Sequence, residues 1–480
     1  MLLAAMTPSH AASITWTNTA GGFWNTPANW SPNRVPGASD TAVITIGGVS
    51  NQPLLVTLDV SPTVGGLTLG ATGNCGGGQV LRINGQTLTL DGPAVVNACG
   101  QLTIDSGAFA GTPNASISGA IGWTGGILSG WLALATNGTL NIMGANDHDM
   151  PNCVFMNYGT VAWSGGRVRG GGGNTGTRVH NMGLWDAQSD EVFNGEFGGA
   201  GLVFTNTGTL RKSAGINTTT LAAGTTFINN GTVEVESGTL AFMNGGVFVT
   251  GSVLSRGGLV QLKAGTFMIG AATVTSTNVQ LVGGTLSGVI RGVLDWVAGD
   301  WDGGVTIASN SVLNIVSGND HNMANCGLTS YGTVVWSGGR LRGGGGNGTQ
   351  VSNFGLWDAQ SDQVFNADFG GAGVVFNNAG TLRKSAGINT TALLSRVGFV
   401  NTGTVEVDSG ALAFYGGGNF NGGSVNSPGG VVQLAAGGFT LNGTVTCANV
   451  QLVGGTLAGN NVIRGAFDWV VGDWNGAEGV

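Results

Sequence analysis

Charged side chains are scarce in this chain. They make up 8% of its 480 residues, 16 basic against 24 acidic, for a net charge of −8. No basic run occurs, and the few Lys and Arg are scattered, so no nucleic-acid partner is expected. No stretch approaches the roughly 18 apolar residues of a membrane-spanning helix, so no membrane span is expected either. A sustained 3.6-residue apolar stripe with a capping box is also missing, and the 92 glycines would each cost about 1 kcal/mol inside a helix. Helix is therefore almost excluded. The five cysteines include no CxxC and no Cys–His cluster with zinc spacing. Nor is there an Asp-rich nonapeptide or a twelve-residue calcium loop, so no metal and no cofactor is expected. Solubility falls to Asn, Thr, Ser and Gly.

What the chain has instead is repetition. Residues 183–190 and 355–362 both read Gly-Leu-Trp-Asp-Ala-Gln-Ser-Asp, 172 positions apart. Thr209-Leu-Arg-Lys-Ser-Ala-Gly-Ile-Asn returns at Thr381, and Trp163-Ser-Gly-Gly-Arg returns at Trp336. Within each long copy runs a shorter rhythm, anchored at Leu140, Val161, Trp185, Leu210, Val233, Leu259, Val279 and Val293 before Leu313 restarts it. The mean step is roughly 20 residues, the spacing of a β-solenoid coil. Each anchor reads as a short strand with apolar residues inward at alternate positions and Thr, Asn and Gln outward. Clusters such as Gly170 to Asn174 mark turns that need positive φ. Strands of one coil must then pair with those of the next, at about 4.8 Å per coil, so roughly twenty coils predict a rod on the order of 100 Å long. Right-handed crossovers dominate where parallel strands share a sheet, so the expected fold is all-β, a right-handed parallel β-helix with an N-terminal aromatic cap.

The chain divides into zones. Residues 1–12 resemble the end of a secretory signal, with Ser9 and Ala11, or His10 and Ala12, before a cleavage point. The missing basic segment suggests that the true signal begins further upstream. Residues 13–46 hold Trp16, Trp24 and Trp30 with Gly21, Gly22, Asn29, Pro36 and Asp40. Bundled aromatics at a solenoid end read first as a cap over open strand edges, and second as a sugar-binding platform. Residues 47–118 form irregular early coils, 119–291 the first long copy, 292–463 the second and 464–480 the start of a third. That third copy breaks off at Val480, so the sequence reads as part of a longer protein whose anchor or export signal lies beyond it.

Cys75 and Cys99 stand 24 residues apart, close to one coil, which suits either a disulfide between neighbouring coils or two free thiols in the core. Cys153 and Cys326 are duplication mates, too far apart to pair, and Cys447 takes the place of Ser276. Among charged residues, Asp186 and Asp190 recur as Asp358 and Asp362, and paired carboxylates some 5 to 10 Å apart would be the candidates for glycosidic hydrolysis. One active site normally draws on unique residues, whereas duplicated charges fit repeated turns, so no catalytic residue is assigned. Arg167 and Arg169, their mates Arg340 and Arg342, and Arg211-Lys212 could hold an anionic glycan; the plainer reading pairs each with an Asp on an adjacent coil. Asp147, Asp149 and Asn146 offer oxygen ligands for calcium, but Asn322 replaces Asp149 in the second copy.

The tryptophan pattern, with Phe376-Asn-Asn-Ala-Gly-Thr-Leu-Arg-Lys-Ser-Ala-Gly387 and Asn401-Thr-Gly-Thr-Val-Glu-Val-Asp-Ser-Gly410, resembles the repeat regions of large secreted bacterial β-helical proteins of the haemagglutinin, adhesin and autotransporter-passenger type. The resemblance spans nearly the whole chain and implies export and a cell-surface or matrix role. It carries no catalytic residue. The expected function is therefore a structural or adhesive spacer with a multivalent surface, its partners surface glycans or matrix polysaccharide. The alternative is a polysaccharide lyase, glycoside hydrolase or glycan-binding module on the same fold.

Overall fold

The computed structural model describes residues 11–475, apart from 112–113, 271–272, 275–277 and 460. Most of the signal-like segment and the last residues of the third copy lie outside that range. Strand accounts for 56% of the structure and helix for 1%, in a parallel β-solenoid of about 20 turns. The chain falls into two compact units, Met1–Asn244 with Arg256–Gly258, and Gly245–Ser255 with Leu259–Val480.

In the first unit each coil carries three short strands, one on each of three faces. The first face runs through Gly130–Leu134, Cys153–Asn157, Thr177–Asn181, Leu202–Asn206 and Thr225–Asn229. The second runs through Thr139–Ile142, Thr160–Trp163, Leu184–Ala187, Thr209–Lys212 and Thr232–Val235, and the third through His148–Pro151, Val168–Gly171, Val192–Asn194, Thr218–Leu221 and Thr239–Phe242. Each of these strands pairs in parallel with its counterpart one coil on, and the register does not slip. Leu132 therefore stacks on Phe155, Val179, Phe204 and Phe227, and Leu140 on Val161, Trp185, Leu210 and Val233. All ten are buried. Each such side chain contributes about 1.5–3 kcal/mol by leaving water, and a one-residue slip would turn the whole stripe outward.

Glycine serves two separate needs at the corners. Gly171, Gly172 and Gly173 have φ of 103°, 91° and 45°, the left-handed values expected of that cluster. Gly183 has an ordinary φ but lies so close to the preceding coil that a Cβ would strike the carbonyl oxygen of Gly159; Gly208 meets Gly183 in the same way. This column of glycines lets successive turns nest.

Asparagine departs from the expected outward placement. Asn157, Asn181, Asn206 and Asn229 end successive first-face strands and are fully buried. Each side-chain amide donates to the next coil's Asn oxygen at 2.7 Å, from Asn157 through Asn206. The same amides donate to the carbonyls of Leu184, Thr209 and Thr232 at 2.9–3.0 Å. A buried amide is costly only when unpaired, and here the stacked coils supply the partners of the inner rungs, while Asn157 accepts from the Gly159 N–H and Asn229 donates to the Gly231 carbonyl within their own coils.

The second unit repeats the plan. Its second-face strands, Val312–Ile315, Thr333–Trp336, Leu356–Ala359, Thr381–Lys384 and Thr404–Val407, stack Leu313 on Val334, Trp357, Leu382 and Val405. Its amide ladder runs Asn353 to Asn378 to Asn401 at 2.8 Å, with Ser330 on the rung that Asn157 fills in the first unit.

At the N-terminus, Ser13–Trp16 pairs antiparallel with Trp30–Ser31 and parallel with Thr41–Ile44. The ring centroids of Trp16 and Trp24 lie 5.0 and 4.9 Å from that of Trp30, edge to face. The three indoles are 0–1% exposed. This corrects the sugar-platform expectation for Trp16, Trp24 and Trp30, because a stacked sugar needs an open ring face and these rings form a core. Arg34 grips Asp40 through two hydrogen bonds of 2.5 and 2.8 Å, and the hydrogen bond from Arg34 holds the Asp40 carboxyl down at about 2. Cys75 and Cys99 form a disulfide, their Cα atoms 5.0 Å apart. Cys153, Cys326 and Cys447 are free and buried.

Candidate functional site

Apart from Lys212, the charged candidates sit at outward or corner positions of neighbouring coils, where the parallel register sets them side by side. Asp186 lies opposite Arg211 on the second face. Arg211 donates to both its oxygens at 3.1 and 2.9 Å, and Gln188 adds a third bond at 2.9 Å. The second unit reproduces this with Arg383 on Asp358 at 3.0 and 2.9 Å and Gln360 at 2.8 Å. Burial pushes the Asp186 and Asp358 carboxyls up, but the Arg, Gln and Ser hydrogen bonds together outweigh it and leave both below the usual carboxylate range.

Lys212 follows Arg211 and points the other way, into the interior, where it is fully buried. Its Nζ donates to Asp190 Oδ1 at 2.7 Å, to the Ala214 carbonyl at 2.9 Å and to Thr219 Oγ1 at 3.0 Å. Lys384 repeats the set with Asp362, Ala386 and Thr391. Asp190 and Asp362 are likewise lowered, burial being outweighed by the lysine and by the backbone N–H of Asn217 or Asn389. A general acid for glycoside cleavage needs a carboxyl raised toward neutrality. All four candidates are shifted the opposite way and are bound to cations.

The third-face arginines form a second belt. Arg167 donates to Asp147 through two bonds of 3.0 Å and reaches Glu196 at 2.7 Å. Arg169 holds Asp149 at 2.7 and 2.9 Å, with its guanidinium 5.2 Å from the centre of the Phe197 ring. In the second unit Arg340 holds Asp320 at 3.0 and 2.7 Å. Asn322 stands opposite Arg342, which turns instead to Asp368 at 2.9 Å and lies over Phe369 at 4.9 Å. The hydrogen bond from Arg167 lowers Asp147, and that from Arg340 lowers Asp320. The intercoil pairing of Arg with Asp is thus present at every one of these arginines, and Asp147 and Asp149 are engaged by guanidinium. Among the described residues no group of three or more His, Cys, Asp or Glu is placed to hold a metal ion. No helix among them is long and apolar enough to cross a membrane.

No protein-family model matches this chain. No curated protein and no solved structure matches it either.

A recess in the first unit was not singled out by its sequence. It has a volume of about 660 Å³ and lies where the third face turns into the first, across three successive coils. Asn114, Ile127, Ser129, Trp131, Pro151 and Asn152 line it. Trp131 is 40% exposed, although ten of the thirteen tryptophans are buried. The second unit has a recess of about 300 Å³ at the equivalent corner, lined by Asp300, Trp301, Asp302, Asn322 and Asn325 among others. There Trp301 is buried and Gly304 takes the place of Trp131. The available signal was a mismatch between the copies, Ser129-Gly-Trp131 against Asp302-Gly-Gly304.

Proposed function

We propose that this chain is a secreted or cell-surface β-solenoid with a structural and adhesive role, a stiff spacer whose repeated turns form a multivalent surface for surface glycans or matrix polysaccharide. The observation that carries the reading is the commitment of its charges to neighbouring coils, with the same partners in both units: Asp186 with Arg211 and Asp190 with Lys212, then Asp358 with Arg383 and Asp362 with Lys384. Charges used in this way hold coils in register. Weak contacts at equivalent turns would then add by avidity. The Cys75–Cys99 disulfide supports an oxidising compartment outside the cytosol. The resemblance to bacterial haemagglutinin, adhesin and autotransporter-passenger repeats belongs to the same proposal.

The second reading, a polysaccharide-active enzyme or glycan-binding module, draws support in its binding form from the recess at Trp131. A glycan array separates the two. The purified chain is applied to immobilised polysaccharides at several densities, and each bound polysaccharide is then assayed for new reducing ends and unsaturated products. The expected result is retention that steepens with density and yields no product. Product formation would overturn the structural reading, and no retention on any surface would remove its adhesive half.

A further inference from the structure

We propose that the recess at the corner between the third and first faces of the first unit is a saccharide subsite, in which the Trp131 indole stacks on a pyranose ring of a neutral oligosaccharide. The inference rests on the adhesive reading and names its ligand class. Four observations lead to it.

The recess comes with the fold, since the second unit has one at the same corner with Asn325 in place of Asn152. Trp131, by contrast, is not required by the fold. The same strand position in the second unit is Gly304, which pairs in register with Gly327 of the next coil and has open space where a Cβ would stand. A large aromatic 40% exposed at a position where the sister coil has glycine keeps apolar area in water at the mouth of the recess. Other aromatics are as exposed, but this one lines a recess, where an open ring face is available to a ligand.

The rest of the lining defines the ligand. Asn114 faces Trp131 across the parallel ladder, and Asn114 and Asn152 are exposed on either side of it. Amides donate and accept, and so suit hydroxyl groups, while an indole face suits the apolar C–H face of a pyranose. No charged side chain lines this recess, whereas Asp300 and Asp302 line its counterpart. An uncharged wall fits an uncharged sugar. The lining itself offers a uronate no cation, because Arg167 and Arg169 are held by Asp147, Asp149 and Glu196 and Arg178 stands two coils beyond Trp131 on the same line.

The test is calorimetric titration of the full chain with cellohexaose, mannohexaose and hexagalacturonate, alongside the variants Trp131→Ala and Gly304→Trp. At least one neutral hexamer is expected to bind, and Trp131→Ala is expected to weaken it by about tenfold or more with an unchanged melting temperature. Hexagalacturonate should bind no better than the neutral sugars. Gly304→Trp, which the open space at that position permits, should add a second, weaker site for the same hexamer. The inference falls if neither neutral hexamer binds, if Trp131→Ala binds as tightly as the parent, or if hexagalacturonate is preferred. Retention of Trp131→Ala on the glycan array at the parent's level would remove this subsite alone, whereas an array silent for the parent chain would remove the adhesive reading with it.

Discussion

The side-chain amide of Asn181 donates to the side-chain oxygen of Asn206 at 2.7 Å, and neither residue reaches solvent. Asn206 in turn donates to Asn229 and to the Thr232 carbonyl, so it is bonded both to the coil before and to the coil after. Replacing it with Leu removes an acceptor from Asn181 and a donor from Asn229 at once. Each buried group left without a partner costs about 1–3 kcal/mol. Asn206→Leu is therefore expected to destabilise the first unit by about 2–5 kcal/mol, read as faster amide exchange in the flanking strands. Asn157→Ser should cost less, because Ser330 occupies that rung in the second unit. Equal protection in parent and Asn206→Leu would show that the ladder carries no stability.

The solenoid was legible because its determinants are local. One apolar anchor per coil, Leu140, Val161, Trp185, Leu210 and Val233, needs only alternation and spacing to be seen, and these residues do stack. The Asn ladder was hidden because an Asn two residues before a turn glycine reads locally as a turn residue. What makes it an interior residue is a partner 23 to 25 positions away. Lys212 was readable in principle, since alternation in Thr209-Leu-Arg-Lys puts it on the same side as Leu210. Its charge argued for the surface, and the interior ion pair that overrides this is again a contact between coils. The tryptophans of the cap looked suited to sugar, but their density is what an enclosed end requires, and the open tryptophan that lines a recess is Trp131.

Lys212 and Asp190 form an unequal pair, the lysine side chain 0% exposed and the aspartate 24%. Removing the lysine leaves a carboxylate that water can still reach. Removing the aspartate leaves an ammonium in the core with only uncharged oxygens around it. Asp190→Ala is therefore expected to destabilise by about 3–5 kcal/mol, and Lys212→Met by distinctly less. Urea unfolding of the two variants should show this order, and the reverse order would mean that the lysine is hydrated. The Asp362→Ala and Lys384→Met pair should repeat it in the second unit.

His148 and His321 give the fold its pH dependence in the mildly acidic range. Both are fully buried, packed edge-on against Trp123 and Trp296 with ring centroids 4.9 and 4.8 Å apart. Burial lowers both from the ordinary 6.5, His321 to about 4, despite the opposing pull of Asp147 and Asp320. The unfolded chain thus binds more protons than the folded one below about 6.5, so the contribution of both is complete above about pH 6.5 and is lost as pH falls, for His321 toward about 4. Asp40 acts in a lower window, because its pairing with Arg34 stabilises above the ordinary 3.8 and fades as pH falls toward about 2. Urea midpoints should drop between pH 7 and pH 4.5 in the parent and stay level in the His148→Gln, His321→Gln double variant. A parent midpoint that is flat over that range would refute the assignment.

Thiol chemistry reports how tightly the coils close. Burial pushes the thiols of Cys153 and Cys326 up to about 12, with Asp302 adding a smaller push at Cys326, and pushes that of Cys447 up to about 11. At pH 8 almost none of the reactive thiolate is present, and each sulfur is covered by neighbouring coils. The native chain should therefore show no reaction with a disulfide reagent such as Ellman's. Denaturation without reductant should release three thiols, and reduction should raise the number to five, the added two coming from Cys75 and Cys99. Five thiols before reduction would mean that Cys75 and Cys99 are not bonded, and a fast reaction in the native state would place an opening between coils at the cysteine that reacts. Modification at Cys153 alone, mapped by peptide mass, would locate that opening on the first face just after Trp131, beside the recess whose closed wall the saccharide subsite requires.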